Sequence, residues 1–242
     1  MKELENKIAL ITGAGKGIGR GIAEAFAAAG AALILSGRDT AKLNELAVTL
    51  AEQGSETLAV TADVTDEAQV RHLFARGMER FGRLDILVNN AGVFDGGPLD
   101  QLSVEAWDKV IAVNLRGPFL CTREAMRIMK PQCGGRIINI GSISSQRVRP
   151  GSAPYSTSKF GLQGLTQVTA LEGRDHGISC GCLHPGNVEV ETLAAGRAVN
   201  REPVMRPADI ARAALAMAAL PPYINMLEAT VLPLTQPFLG RG

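Results

Sequence analysis

The residue pair with the clearest chemical potential is Tyr155 and Lys159, in the stretch PYSTSKFG at positions 154–161. A spacing of four residues places both side chains on one face of a helix. Pro154 suits the first turn of that helix, because its missing N–H would have no partner there. A free phenol has a reference pKa of about 10, and a nearby ammonium group stabilises its anion. The pair therefore predicts a tyrosine that acts as general acid and base on a bound substrate.

A glycine-rich turn follows the first apolar run, in ALITGAGKGIGRGIAEAF at positions 9–26. Gly13, Gly17 and Gly19 have a G-x-x-x-G-x-G spacing, which differs from the G-x-G-x-x-G fingerprint of many dinucleotide-binding proteins. Glycines let backbone N–H groups approach a pyrophosphate, and the start of the next helix adds positive potential. We therefore predict a dinucleotide-binding loop, with simple tight-turn packing as the alternative.

The end of the second predicted strand indicates which dinucleotide binds. An NAD site usually has an Asp or Glu there for the ribose 2′-hydroxyl, whereas LILSGRD at 33–39 has Gly37 followed by Arg38. Lys16 adds a second cation from the glycine-rich turn. Two cations suit a 2′-phosphate, so we expect NADP(H) rather than NAD(H). The alternative is that both cations are solvated and Asp39 caps the next helix.

The elements that must position these residues alternate along the chain. Helical stretches of about 10 to 20 residues, such as Thr40–Gln53 with a threonine cap and Asp66–Phe81, separate short β-branched runs. The pattern predicts an α/β fold with a single-domain, Rossmann-like, doubly wound parallel sheet of about seven strands and helices on both faces. The predicted strands are Ile8–Thr12, Leu33–Leu35, Thr57–Val60, Ile86–Val88, Arg136–Ile140, Ile178–Leu183 and Thr230–Leu232. Ligands bind beyond the carboxyl ends of such strands, which is where each motif falls.

Charge and composition disfavour several classes of protein. The 25 basic and 24 acidic residues leave a net charge of +1, so we expect neither a nucleic-acid nor a membrane partner. The start, MKELENKIAL, is too charged for a signal peptide, and no apolar stretch is long enough to span a bilayer, which favours a cytoplasmic location. The four cysteines lack metal-ligand spacing. We expect buried, reduced thiols and no metal site.

Taken together, these motifs resemble the short-chain dehydrogenase/reductase family over nearly the whole chain. TGAGKGIG at 12–19 is similar to the family's cofactor loop, NNAG at 89–92 to its motif after the fourth strand, and HPG at 184–186 to its Pro-Gly after the sixth. The positions of the family's catalytic residues are held by Asn114, Ser142, Tyr155 and Lys159. The resemblance implies that Ser142 stabilises the substrate oxygen, that Lys159 also binds the nicotinamide ribose, and that Asn114 supports Lys159 through a water.

The resemblance also implies a complete cofactor site, in which Asp63 contacts the adenine. Its residues would be Gly13, Lys16, Gly17, Ile18, Gly19, Arg38, Asp63, Val64, Asn90, Ala91, Gly92, Tyr155, Lys159, Pro185, Gly186 and Val188. Two features depart from the family pattern. Val190 stands where a threonine often contacts the nicotinamide amide, with Thr192 two residues later, and the chain lacks the family's frequent Asp-Gly-Gly ending.

The resulting expectation is one NADP(H)-binding domain over residues 1–242, with a substrate lid at about 187–207, that interconverts a small-molecule carbonyl and a secondary alcohol. The alternatives are a 3-oxoacyl-[acyl-carrier-protein] reductase and, from another class, a catalytically silent NADP(H)-sensing protein. The resemblance implies a homodimer or homotetramer, with Gly161 and Gly164 allowing two helices to approach closely across the interface.

Three further residues lie near the predicted cleft. His184 could contact substrate, although a structural role at the end of a strand is the favoured interpretation. Arg147 and Arg149 follow Ser142 in SSQRVRPGSAP at 144–154. They could favour an anionic substrate, and a solvated loop is the favoured alternative.

Overall fold

Seven parallel strands form one sheet in the computed structural model, which describes residues 2–189 and 203–238. The strands are β1 (Ile8–Thr12), β2 (Ala32–Gly37), β3 (Thr57–Thr61), β4 (Ile86–Asn89), β5 (Gly135–Ile140), β6 (Ile178–Pro185) and β7 (Glu228–Val231). They lie in the order β3-β2-β1-β4-β5-β6-β7, and every pairing is parallel. The predicted doubly wound parallel sheet is confirmed.

The helices connect these strands along the chain. They are α1 (Gly17–Ala28), α2 (Thr40–Glu52), α3 (Glu67–Phe81), α4 (Val104–Ile111), α5 (Gly117–Met129), α6 (Ala153–Gly173) and α7 (Pro207–Ala218), and a π-helical turn at Ala112–Arg116 joins α4 to α5. The predicted threonine cap of α2 is wrong. The carboxylate of Asp39 caps this helix by accepting from Lys42 N at 3.1 Å, while the Thr40 hydroxyl lies 2.8 Å from that of Thr61.

Alternate residues of the central strands face opposite layers of helices. One face packs against α3 and α5, through Leu10, Ile34, Leu87 and Ile137. The other packs against α1, α2 and α7, through Ile11, Leu35, Val88 and Ile138. Burial on both faces explains why these strands appear in the sequence as continuous apolar runs and not as alternating apolar and polar residues.

The strand order reverses between β1 and β4, which are neighbours in the sheet. In an open parallel sheet, such a reversal leaves a crevice beyond the carboxyl ends of the two strands, because their following segments leave in opposite directions. The glycine-rich turn follows β1 and the NNAG motif follows β4. Within the part of the chain that the structure describes, no helix is long and apolar enough to cross a membrane.

Candidate active site

The predicted site residues converge on one edge of the sheet. Because all seven strands are parallel, their carboxyl ends lie on the same side. Just beyond or at the ends of β1 to β6 stand, in order, Gly13, Arg38, Asp63, Asn90, Ser142 and Pro185. The fold thus brings together segments that are far apart in sequence.

The glycine-rich turn is clamped by the NNAG segment. The Asn90 side chain donates to Thr12 O at 2.9 Å and to Gly13 O at 3.1 Å. A Cβ at Gly19 would lie 2.3 Å from Gly13 O and 2.4 Å from Asn90 Nδ2, so no larger residue fits there without a shift of the backbone. Gly13 and Gly17 also have positive φ angles of 64° and 53°, which glycine adopts without strain. Local packing or backbone conformation therefore favours glycine at all three positions, independently of any ligand.

The start of α1 has the free backbone donors that a pyrophosphate needs. Lys16 occupies the N-cap without a side-chain cap bond, and the first turn contains no acidic residue. By contrast, α2, α3 and α4 begin on the capping side chains Asp39, Asp66 and Ser103. The first N–H groups of α1 have no intrahelical partner and can donate to an anion. This arrangement fits the phosphates of a dinucleotide held by Gly17, Ile18 and Gly19.

The segment beyond β2 carries the predicted selector of the 2′-phosphate. Arg38 is 69% exposed, and its Nη1 lies 4.0 Å from Asp63 Oδ2. The other oxygen of Asp63 accepts from Thr65 N at 2.9 Å and from Thr65 Oγ1 at 2.8 Å. An exposed ion pair of this length contributes little energy, so Arg38 is available to another anion. Lys16 is exposed as well.

Tyr155 and Lys159 lie on successive turns of α6, with Pro154 in the first turn. Lys159 is buried, and its Nζ donates to Ile140 O at 2.7 Å, at the end of β5. The same nitrogen lies 5.6 Å from the centroid of the Tyr155 ring. A buried ammonium is therefore held beside a half-buried phenol, as the four-residue spacing predicts.

Ser142 begins the loop after β5 and is buried. Its hydroxyl accepts from Ser144 N at 3.1 Å, and its carbonyl accepts from the Ser145 hydroxyl at 2.6 Å. His184 Nδ1 lies 3.1 Å from the same carbonyl oxygen and 2.8 Å from Ser145 Oγ. A carbonyl oxygen only accepts, so Nδ1 carries the proton and Nε2 of the neutral ring does not.

His184 is wholly buried, which excludes it from direct contact with a substrate. Burial is the main cause that lowers the pKa of this imidazole, and its Nε2 has no hydrogen-bond partner among the described residues. Through its contacts with Ser142 O and Ser145 Oγ, the ring supports the Ser142 loop, which agrees with the structural role favoured for His184.

Asn114 lies in the π-helical turn and is buried. Its side-chain oxygen accepts from Val93 N at 2.8 Å, and its side-chain nitrogen donates to Val93 O at 2.8 Å and to Ser158 Oγ at 3.2 Å. The Ser158 hydroxyl in turn donates to Tyr155 O at 2.7 Å. Asn114 thus ties the loop after β4 to helix α6. Its link to Lys159 through a water stays a prediction.

The remaining cofactor candidates lie around the same edge. Val64 is buried against Gly117, where an added Cβ would lie 2.8 Å from a Val64 methyl group. Ala91 N donates to Thr12 Oγ1 at 3.1 Å, and Gly92 is exposed. Gly186 N donates to Val231 O at 2.8 Å, which joins the end of β6 to β7.

The expected lid is described only at its two ends. Val188 pairs with Met205 in a parallel bridge, in which Glu189 N donates to Met205 O at 2.8 Å and Met205 N donates to Asn187 O at 2.9 Å. Val190 and Thr192 lie outside the described residues, so the residue that would contact the nicotinamide amide is not assigned.

The cysteines do not supply a reactive group to this edge. Cys121, Cys180 and Cys182 are buried, and burial raises the pKa of Cys121 to about 12 and of Cys182 to about 11, so both thiols stay protonated at neutral pH. The expectation that all four are buried is wrong for Cys133, which is exposed. No cluster of metal-ligating side chains occurs within residues 2–189 and 203–238.

Phe94 was not among the predicted site residues, although it borders Tyr155. Its ring centroid lies 5.2 Å from that of Tyr155, and the Arg149 guanidinium carbon lies 5.5 Å from the Phe94 centroid. No sequence motif includes this residue. Only its position two residues after the NNAG segment could have placed it near the site.

Comparison with known proteins decides the family. Residues 7–200 match the sequence model of the family described as short chain dehydrogenase. The chain belongs to the short-chain dehydrogenase family. This short-chain dehydrogenase is accordingly an oxidoreductase, and thus an enzyme.

Individual relatives agree with this assignment. An uncharacterized oxidoreductase of Bacillus subtilis is 40% identical over 190 residues, which are 78% of this chain and 74% of that protein. A 3-oxoacyl-[acyl-carrier-protein] reductase of Synechocystis is 34% identical over 88% of this chain and 85% of its own length. Among solved structures, the alcohol dehydrogenase of Thermococcus sibiricus complexed with 5-hydroxy-NADP superposes with a TM-score of 0.86 and 30% identity, over 93% of this chain and 95% of that one.

Proposed function

We propose that this short-chain dehydrogenase interconverts a small-molecule carbonyl and a secondary alcohol with NADP(H), using Tyr155 as general acid and base. The observation that carries the proposal is the Tyr155–Lys159 pair, in which a buried ammonium bonded to Ile140 O lies 5.6 Å from the centroid of the phenol ring. A cation held beside the phenol would stabilise the negative charge that develops on the tyrosine oxygen as its proton is transferred to the substrate. The half-buried phenol remains open to a ligand.

The cofactor would be held by the residues that fit its parts. The free N–H groups at the start of α1 would bind the pyrophosphate, Lys16 and Arg38 the 2′-phosphate, and Lys159 the nicotinamide ribose. Asp63 and Val64 would face the adenine, and Asn90, Ala91, Gly92, Pro185, Gly186 and Val188 would complete the site. When bound, the nicotinamide supplies the hydride for reduction and receives it in the reverse reaction.

The protein side chains would handle the substrate oxygen and its proton. Tyr155 would donate its hydroxyl proton as the carbonyl oxygen gains negative charge, and would take a proton back in the reverse direction. The Ser142 hydroxyl would donate a hydrogen bond to the same oxygen and stabilise that charge. Lys159 would keep the tyrosine anion stable, with Asn114 supporting it through a water. The segment 187–207, whose two ends are joined by the Val188–Met205 bridge, would cover the substrate as a lid. The lid and the cofactor site would belong to one domain.

The direct test is the oxidation of NADPH in the presence of a panel of carbonyl compounds. The panel includes ketones, aldehydes, keto acids, keto sugars and a β-ketoacyl thioester. Consumption that depends on the carbonyl compound supports the proposal. A protein that binds NADPH but reduces none of them would contradict it and favour the NADP(H)-sensing alternative.

The preference for NADP(H) over NAD(H) has its own test. Arg38→Ala should lower the ratio of kcat/KM for NADPH to that for NADH by about tenfold, because a charged hydrogen bond to the 2′-phosphate is lost. Arg76, a half-exposed arginine on α3 that pairs with Glu79, provides the matched control. If Arg38→Ala leaves the ratio unchanged, Arg38 does not select the cofactor.

A 3-oxoacyl-[acyl-carrier-protein] reductase is the second candidate, favoured by the 34% identity to the Synechocystis enzyme. An acidic carrier protein requires a basic docking surface. The basic residues that could form one are Arg127, Lys130 and Arg174, and two of these are already paired, since Arg127 lies 2.8 Å from Glu124 and Arg174 lies 3.7 Å from Asp175. Reduction of the thioester in preference to the other panel members would nevertheless establish this function.

A homodimer or homotetramer is supported by exposed apolar side chains on α5 and α6. Phe119, Phe160, Val168 and Leu171 are 46%, 47%, 52% and 58% exposed. Such a group of large apolar residues favours contact with a second copy. Light scattering on the purified protein tests this, and a monomer at micromolar concentration would contradict it.

A further inference from the structure

Two loops meet beside Tyr155, and they bring an aromatic ring and a cation together. The loop after β4 carries Phe94, whose centroid is 5.2 Å from the Tyr155 centroid. The loop after β5 carries Arg149, whose guanidinium carbon lies 5.5 Å from the Phe94 centroid. The two backbones touch, since a Cβ placed on Gly96 would lie 2.1 Å from Gly151 O. The positions of the ring and the cation are thus coupled by direct loop contact.

The backbone of Arg149 is also tied to the helix that carries Tyr155. The Ser152 hydroxyl donates to Arg149 O at 2.6 Å and lies 2.8 Å from the Ser156 hydroxyl, in the first turn of α6. These bonds hold the loop relative to the proposed proton donor. A side chain that begins from an anchored backbone loses less conformational entropy when it binds a ligand.

The charge of Arg149 is not balanced by a neighbouring acid. Asp95, next to Phe94, has its carboxylate 3.2 Å from Lys109 Nζ and accepts from Gly96 N at 3.0 Å. Within residues 2–189 and 203–238, no carboxylate oxygen lies within 4.0 Å of a side-chain nitrogen of Arg149. A guanidinium that lies over a ring keeps N–H groups along its edge, and these match the two oxygens of a carboxylate.

We propose that this site accepts carbonyl substrates that carry a carboxylate a few carbon atoms from the reacting carbonyl, and that Arg149 binds this carboxylate. The half-exposed ring of Phe94, which lies close to both Arg149 and Tyr155, would pack against the intervening carbon chain. The inference rests on the proposed function, because it takes Tyr155 as the group that contacts the reacting carbonyl. It names the substrate class as keto acids and the corresponding hydroxy acids.

Arg147 provides a matched control from the same loop. Its guanidinium carbon lies 5.9 Å from the centroid of a different ring, Phe238. Arg147→Gln and Arg149→Gln remove the same charge two residues apart. A general effect of net charge on substrate attraction would therefore appear in both variants, whereas binding of a carboxylate at Arg149 would appear in one.

The test compares keto acids CH3CO(CH2)nCO2⁻ of increasing length with their uncharged methyl esters. The unsubstituted enzyme should prefer one or more of the acids to the matching ester. Arg149→Gln should lower kcat/KM for those acids by about tenfold or more, mainly through KM, and leave the esters nearly unchanged. Arg149→Lys should retain part of the preference for the acids, because lysine keeps the positive charge but cannot form the bidentate hydrogen bonds of a guanidinium. Arg147→Gln should retain all of it.

The possible failures are distinguishable. If the unsubstituted enzyme reduces esters as well as acids, or if Arg149→Gln weakens both equally, the substrate class is wrong and the carbonyl reductase stands. An equal loss of acid preference in Arg147→Gln would also overturn the role of Arg149. If no carbonyl compound in the wider panel is reduced, the proposed function itself fails.

Discussion

Acidification should destabilise the folded chain through His184, which is wholly buried. Burial lowers its pKa from the ordinary value of 6.5, Lys159 acts in the same direction, and the hydrogen bond to Ser142 and the charge of Glu228 oppose the shift. Above pH 6.5 the ring is neutral in both the folded and the unfolded chain. Below it, the unfolded chain binds a proton that the folded chain does not. As the pH is lowered from 6.5 to the pKa of the folded chain, the free energy of unfolding therefore decreases, by up to about 1.4 kcal/mol per pH unit.

His184→Asn isolates this contribution from that of other titrating groups. The asparagine side-chain N–H can replace the Nδ1–H that faces Ser142 O, and it does not titrate. Urea unfolding of both proteins, at fixed protein concentration, gives the difference in their free energies of unfolding at about pH 7.5 and about pH 5.5. The loss of ring packing in the variant is independent of pH, so it cancels when the two differences are compared.

We expect the unsubstituted protein to lose stability relative to His184→Asn as the pH is lowered over this interval, by up to about 1.4 kcal/mol. A difference that stays constant with pH would mean that His184 titrates alike in both states. In that case the buried neutral ring beneath the Ser142 loop would be refuted. A shift in the opposite direction would mean that the folded chain favours the imidazolium.

Two further predictions concern the cofactor loop and the π-helical turn. Gly19→Ala would place a methyl group 2.3 Å from Gly13 O, so NADPH affinity measured by fluorescence titration should fall about tenfold or more, and an unchanged Kd would contradict the tight clamp. Asn114→Ala would remove both 2.8 Å bonds to the Val93 backbone, at a cost of about 1 to 3 kcal/mol for each group left unsatisfied. Its melting temperature and turnover should both fall, and unchanged values of both would show that Asn114 does not hold this loop.

The part of the site that could be predicted depends on short-range periodicity and on the parallel sheet. A four-residue spacing places Tyr155 and Lys159 on one face of any helix, whatever the rest of the chain does. Likewise, parallel strands put their carboxyl ends on one side of the sheet. Gly13, Asn90 and Ser142 therefore lie at the same edge, whatever the details of side-chain packing. These expectations require only that the strands and helices be recognised.

The contacts that could not be predicted join residues through loop packing. Ser145 and His184 meet across 39 positions of sequence, and Arg149 meets Phe94 because two loops touch at Gly96 and Gly151. The packing around Gly161 is another contact that the sequence does not predict. A Cβ there would lie 2.9 Å from a methyl carbon of Leu115, so packing within one chain already favours a small residue at this position.

The central claim is tested most directly by Tyr155→Phe. This variant removes the hydroxyl and keeps the ring that contacts Phe94 and lies beside Lys159. With a carbonyl substrate from the panel, NADPH oxidation should fall by about 100-fold to 10,000-fold, the usual contribution of a general acid, while the Kd for NADPH stays the same. A variant that kept its turnover within a few-fold of the unsubstituted enzyme would show that Tyr155 does not carry the proton.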